Sequence, residues 1–170
     1  EEIRCYFILV LTAIGLIFID LCRMGMTVSE SLRHAAFQVT SLISSTGFMT
    51  ADYDLWSQMS KTILLLTMFV GACAGSTGGG IKVSRFVILF KTVRKELYSY
   101  IHPKSILKIK MDEKPIEHDV VRSTNVYFIT FIILFAASIL LVSLEGHGLV
   151  TTFTSVLAVI NNIGPGLELA

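Results

Sequence analysis

Residues 125–144, NVYFITFIILFAASILLVSL, are twenty consecutive positions without a charge. As a helix rising about 1.5 Å per residue they cover roughly 30 Å, the depth of a bilayer's hydrocarbon core. Such a helix is apolar on every side, so lipid rather than water is the medium it fits. Residues 5–19 are a second uncharged run, with Arg4 and Asp20 at the margins, and predict another spanning helix. Composition agrees: 53% of residues are hydrophobic and 16% charged, against roughly 25% charged in soluble domains. The predicted class is an all-α integral membrane protein.

Charge gives the orientation. Ten of the fourteen Lys and Arg residues lie between Lys82 and Arg122, which places that section on the cytoplasmic side. No aromatic interleaving or known module accompanies the basic run, so a nucleic-acid partner is not expected. Cys5, Cys22 and Cys73 lack the spacing of a disulfide framework or a zinc site and predict buried thiols. His34, His102, His118 and His147 show no ligand spacing either. The start, EEIRCYFILV, has neither initiator methionine nor signal-peptide layout, and a piece of a longer protein is expected.

Three further apolar segments are too short to cross. Residues 29–43, with Ser29 as the expected N-cap, cover about 22 Å and look re-entrant. Residues 62–73 cover only about 18 Å, and residues 150–160 less still. Each runs into a polar, glycine-bearing stretch: SSTGF, CAGSTGGGIK and NNIGPG. After the first stretch, Tyr53 and Trp56 are expected as interfacial anchors. After the second, residues 81–100 resume in apolar and basic blocks. Residues 101–119 form a polar connector with Pro103 and Pro115 as breakers.

One pattern therefore occurs twice: spanning helix, short apolar helix, polar glycine tip. Setting Gly47 against Gly164 superposes the tips, with Val39 on Val156 and Ile43 on Ile160. Irregular backbone at membrane depth must be buried in protein or line a watery cavity. A helix C-terminus carries partial negative charge and unpaired carbonyls, so two such ends aimed at one axis make a cation site without a carboxylate. The plainer alternative is that SSTGF is a helix C-cap with Gly47 left-handed.

The glycine stretch at residues 73–82 suggests a phosphate cradle at first sight. Gly75 and Gly80 have the spacing of a Walker A loop, but Ile81 intervenes before Lys82, and Val83 stands where Ser or Thr is required. A break in a membrane helix is the better fit, with the Ser76 and Thr77 hydroxyls expected to satisfy freed backbone groups.

SLISSTGFMTADYDLW, GACAGSTGGGIKVSR and NNIGPG together resemble the Trk/Ktr/HKT superfamily of potassium transporters, in its bacterial TrkH/TrkG type. The resemblance implies potassium-channel-like repeats of membrane helix, pore helix, filter and membrane helix. Residues 1–100 would be the third repeat, residues 101–119 a cytoplasmic connector, and residues 120–170 the incomplete fourth. It implies a potassium filter whose backbone oxygens come from Ser45, Thr46 and Gly47 in one strand and Asn162, Ile163 and Gly164 in the other. It implies that Gly75, Ser76, Thr77, Gly78, Gly79 and Gly80 form a gate below the filter. K⁺ would be the transported ion, with no organic cofactor and no enzymatic activity. The setting would be the cytoplasmic (inner) membrane, and the partners a second copy in a homodimer and a TrkA-like ring of nucleotide-binding regulatory subunits. Residues 91–114 are a candidate contact for that ring, or equally for anionic lipid headgroups. An ion-coupled carrier with alternating access is the alternative mechanism.

Other residues are expected to have structural roles. Asp20 is interfacial or supports the pore, Asp52 and Asp54 belong to a mouth or a solvated loop, and Glu145 and His147 lie at the surface. Lys82 and Arg85 are expected to snorkel to the cytoplasmic boundary. Arg33 lies in a pore helix, either paired internally or facing the vestibule.

Overall fold

The computed structural model describes residues 1–102, 110–112 and 114–166. In chain order the helices are α1 (Glu2–Arg23), α2 (Val28–Ile43), α3 (Gln58–Phe69), α4 (Val83–Ile101), α5 (His118–Ser143) and α6 (Leu149–Ile160). A 3-10 turn, Tyr53–Leu55, lies between α2 and α3, and β1 (Lys110–Met111) pairs antiparallel with β2 (Lys114–Pro115). Pro115 is thus in a hairpin strand, while Pro103, Lys104 and Lys108 lie outside the described residues.

Two helices, α1 and α5, are long and apolar enough to cross a membrane. The 26 residues of α5 cover about 39 Å, so it begins seven residues before the uncharged run and carries its polar first turns beyond the hydrocarbon. Of its side chains only Thr124 is buried, while Ile129, Ile133 and Leu141 stand more than half exposed. On a helix in lipid those exposed apolar faces are where they belong.

The core forms around α2. Along α1, Val10, Ala13, Ile17 and Leu21 fall on one helical stripe and pack with Ala35, Val39, Leu42 and Ile43 of α2. Leu64 and Met68 of α3, Leu157 and Ala158 of α6, and Ile163 close the cluster. Tyr53 and Trp56 are in it as well, each only 4% exposed, which corrects their expected place at an interface. The segment after the first tip folds back over α2 and carries both rings inward. The thiols also differ from expectation: Cys5 is exposed, and Cys22 and Cys73 are half-buried.

Caps fix where α2 and α3 begin. Thr27, not Ser29, is the N-cap of α2: its Oγ1 accepts the Glu30 N–H at 3.4 Å and donates to the Glu30 carboxylate at 2.7 Å. This reciprocal box satisfies one of the free donors at the helix start. Ser57 caps α3, accepting the Ser60 N–H at 3.3 Å, and both serine hydroxyls donate to the Asp20 carboxylate. Asp20 therefore ties the end of α1 to the start of α3, a supporting role.

Between α3 and α4 the chain leaves helical geometry for residues 70–82. Val70 and Ile81 form a parallel bridge; the Gly71 N–H donates to the Ile81 carbonyl at 2.9 Å, and the Ile81 N–H to that of Phe69 at 3.3 Å. Backbone pairing across the neck satisfies part of the freed backbone, and side chains of Glu2, Ser45 and Lys82 meet the Ala74 and Gly79 N–H groups and the Ser76 and Gly78 carbonyls, where Ser76 and Thr77 hydroxyls were expected. Phe69, at the break, packs edge-on against Phe135 of α5 at 5.8 Å and tilted against Phe153 of α6 at 6.2 Å, joining the break to the second half of the chain.

Candidate functional site

The two polar tips have the same backbone. Helix α2 ends at Ile43 and α6 at Ile160, the positions expected to superpose. After them Ser45 and Asn162 take left-handed φ values of 56° and 52°, and Gly47 and Gly164 take 76° and 103°. The hydrogen bonds correspond too. Ser45 N–H donates to the Leu42 carbonyl and Asn162 N–H to that of Val159, each at 3.1 Å. Thr46 N–H reaches the Ser41 carbonyl and Ile163 N–H that of Ala158, each at 2.9 Å. Both sets of bonds are those of a Schellman C-cap, with Ser45 and Asn162 at the left-handed position, so a helix C-cap is what ends each half-helix; the left-handed backbone is costlier for Ser than for Asn.

The tips lie against each other. A methyl group on Gly47 would overlap the Ile163 carbonyl oxygen and come within 3.1 Å of Pro165 Cδ. Together with its φ, this leaves glycine as the residue that fits. The Ser45 hydroxyl donates to the Asn161 carbonyl at 3.2 Å, and the Tyr53 hydroxyl to the Gly166 carbonyl at 2.6 Å. Side chains hold the first turn from behind: Ser41 Oγ donates to the Phe48 carbonyl at 2.7 Å, and the Ser44 and Thr46 hydroxyls pair at 2.7 Å. Gln38 Nε2, on a wholly buried side chain, donates to the Ala51 carbonyl at 3.2 Å. Asn161 is wholly buried; its Nδ2 donates to the Leu157 carbonyl at 3.0 Å, and its Oδ1 has no donor among the described residues.

The broken segment meets both tips. Gly79 N–H donates to Ser45 Oγ at 3.1 Å, and a methyl on Gly79 would overlap the Asn161 carbonyl oxygen. Gly78 approaches the Ser44 carbonyl, which a Cβ there would meet at 3.3 Å. Gly80 is left-handed at φ 77°. Gly75 and Thr77 are exposed, and nothing surrounds a Cβ at Gly75, so the contact is made at Gly78 and Gly79, with Gly80 beside the Asn161 side chain.

Two cations depart from their expected place. Lys82 does not snorkel: its ammonium donates back to the Ser76 carbonyl and hydroxyl, both at 2.9 Å, and to the Gly78 carbonyl at 2.5 Å. Arg85 stacks over the Tyr127 ring of α5 at 3.7 Å. Sequence patterning missed both contacts, because each partner is set by tertiary folding. Arg33 is exposed on α2; Asp52 Oδ1 caps the 3-10 turn by accepting the Asp54 N–H at 3.0 Å; Glu145 and His147 pair at 3.5 Å on the surface. Among the described residues no cluster of His, Cys, Asp or Glu is arranged to hold a metal ion. The oxygens at the tips are carbonyls and hydroxyls, which are poor ligands for a transition metal.

A family model described as TrkH, a cation transport protein, matches residues 6–168. The Trk system potassium uptake protein TrkH of Salmonella typhimurium is 36% identical over 137 residues, which cover 81% of this chain and 28% of that protein. The Trk system potassium uptake protein TrkG of Escherichia coli K12 is 33% identical over 166 residues, covering 97% of this chain and 34% of that protein. The crystal structure of the potassium transporter TrkH from Vibrio parahaemolyticus superposes with a TM-score of 0.91 at 29% identity, over 99% of this chain and 36% of that one. The chain thus spans about a third of the length of the relatives it matches.

Proposed function

The chain belongs to the TrkH family of cation transport proteins, and from that membership we propose that it is part of a subunit that moves potassium across the cytoplasmic membrane. Residues 1–100 are one pore repeat, residues 101–119 a cytoplasmic connector, and residues 120–170 the opening of the next repeat. Backbone oxygens of Ser45, Thr46 and Gly47, and of Asn162, Ile163 and Gly164, replace part of the ion's hydration shell as it passes. No covalent chemistry is involved, and K⁺ is the cargo.

The observation that carries the proposal is the matched left-handed turn at the ends of α2 and α6, with Gly47 packed on the Ile163 backbone. Two half-helices ending against each other bring two partly negative C-termini to one place. The relatives' names supply potassium as the ion. The contact of Gly78 and Gly79 with both tips supports residues 75–80 as a gate that closes the path beneath them. Assembly follows the family expectation: a homodimer, regulated by a nucleotide-binding cytoplasmic ring that docks near residues 91–114.

Replacing Gly47 by Ser in the full-length transporter tests the filter. Rb⁺ uptake into proteoliposomes should fall at least tenfold, or lose its preference over Na⁺, because the new side chain collides with the Ile163 carbonyl. Unaltered flux and selectivity would sink the assignment. Strict stoichiometric coupling of that uptake to H⁺ or Na⁺ would favour the carrier mechanism.

A further inference from the structure

We propose that the Lys82 ammonium is a tethered cation filling an oxygen site made by residues 76–78, and that through one peptide unit it fastens the loop to both tips. The proposal rests on the gate assigned to that loop above. It concerns how the closed state is held.

An ammonium group has three protons to donate and no acceptor. Around Lys82 Nζ stand three oxygens: the Ser76 carbonyl, the Ser76 hydroxyl and the Gly78 carbonyl, at 2.9, 2.9 and 2.5 Å. All three donors are therefore used, and all three acceptors come from the loop. Lys82 is half-buried, and these oxygens take the place of water around part of its ammonium. Carbonyl and hydroxyl oxygens folded around a monovalent cation are also what a potassium site requires. The Lys82 head thus occupies a place chemically suited to the ion itself.

The acceptor Gly78 carbonyl and the donor Gly79 N–H belong to the same peptide unit. Its oxygen is held by Lys82, and its N–H donates to Ser45 Oγ at 3.1 Å. Ser45 in turn donates to the Asn161 carbonyl at 3.2 Å. A charge-assisted bond at one end of such a chain polarises the bonds that follow it. The ammonium therefore strengthens the peptide's N–H as a donor, and the Ser45 hydroxyl after it. The relay ends on the segment that follows α6, having passed through the one that follows α2. While it holds, the loop cannot withdraw without breaking the chain, and a fixed positive charge lies one peptide away from the tips. Lifting Lys82 weakens the loop's bond to Ser45, which no longer has the ammonium behind it, and frees three oxygens for a passing ion.

The test uses the full-length protein in proteoliposomes without its regulatory partner, with resting Rb⁺ flux as the readout. Lys82→Met should raise resting flux roughly ten- to hundredfold, the population shift expected from losing a charge-assisted hydrogen bond. Lys82→Gln, which keeps length and polarity, should rise as well and covers the case in which the Met variant does not fold. Rb⁺ diffraction from the Met variant should show a peak at the Ser76 and Gly78 oxygens. Resting flux unchanged in both variants, while a Gly78–Gly80 deletion raises it, would overturn the latch and leave the gate standing. Flux unchanged in all three would remove the gate, and the latch with it. A variant with raised flux but no Rb⁺ at those oxygens would overturn the cation site.

Discussion

Tyr53 joins the two tip-bearing segments with a single phenol. It is almost wholly buried, and its hydroxyl donates at 2.6 Å to the carbonyl of Gly166, 113 residues away. Tyr53→Phe leaves that carbonyl without its donor and should cost about 1–3 kcal/mol, read as a lower thermal unfolding midpoint in detergent. Burial, aided by the carboxylates of Asp54 and Asp52, pushes the phenol up to about 12 from an ordinary value of 10.0. The folded state thus prefers the neutral form. The contribution of this group to stability should be complete below about pH 10 and lost as pH rises towards 12, which phenolate absorbance against unfolding will follow; in Tyr53→Phe that slope should flatten. The sequence places an aromatic near the membrane surface but not the direction it faces, because the partner lies in the other half of the chain. Gly47 was more legible. Its place just past an apolar half-helix, repeated at Gly164, marked the turn, although only the structure shows the Ile163 carbonyl that excludes a side chain.

Among the elements, the apolar cores of the helices and the C-terminal ends of α2 and α6 were legible, and the starts of α2 and α5 were not. Hydropathy marked residues 125–144, whereas α5 starts at His118, because a helix continues into water where charge is tolerated and hydropathy no longer signals it. The start of α2 did carry a readable signal, the Thr27–Glu30 capping box, which the competing serine at residue 29 obscured. Thr27→Ala should cost about 1 kcal/mol through the lost cap. A fall in the detergent unfolding midpoint checks it, with no change in ion selectivity. Thr27 also holds the Glu30 carboxyl below its ordinary value by hydrogen bonding. That contribution is present above the unfolded carboxylate range and fades as pH falls through the folded value. The neck of the loop, closed by the Val70–Ile81 bridge, had no sequence signature, since backbone pairing across it depends on where α3 and α4 are held.

At the scale of the molecule, the sequence showed two copies of one plan, and the backbone of the two tips repeats it turn for turn. What hydropathy did not carry is the contact between copies: the Gly47 approach to Ile163, the Ser45 bond to Asn161, and the Phe69, Phe135 and Phe153 cluster that joins the helix break to the second half. These contacts make the loop's position depend on both repeats. Deleting Gly78–Gly80 from the full-length transporter should accordingly raise resting Rb⁺ flux, because the peptide that touches both tips is then gone; flux that stays low and normally regulated would make the segment a simple helix break. The central claim, that the tips form a potassium path, has a more direct test in anomalous diffraction from crystals of the full-length protein soaked in Rb⁺. Rb⁺ should lie between the backbone oxygens of Ser45–Gly47 and Asn162–Gly164, and Rb⁺ bound elsewhere with none between the two tips would mean that the tips form no potassium path.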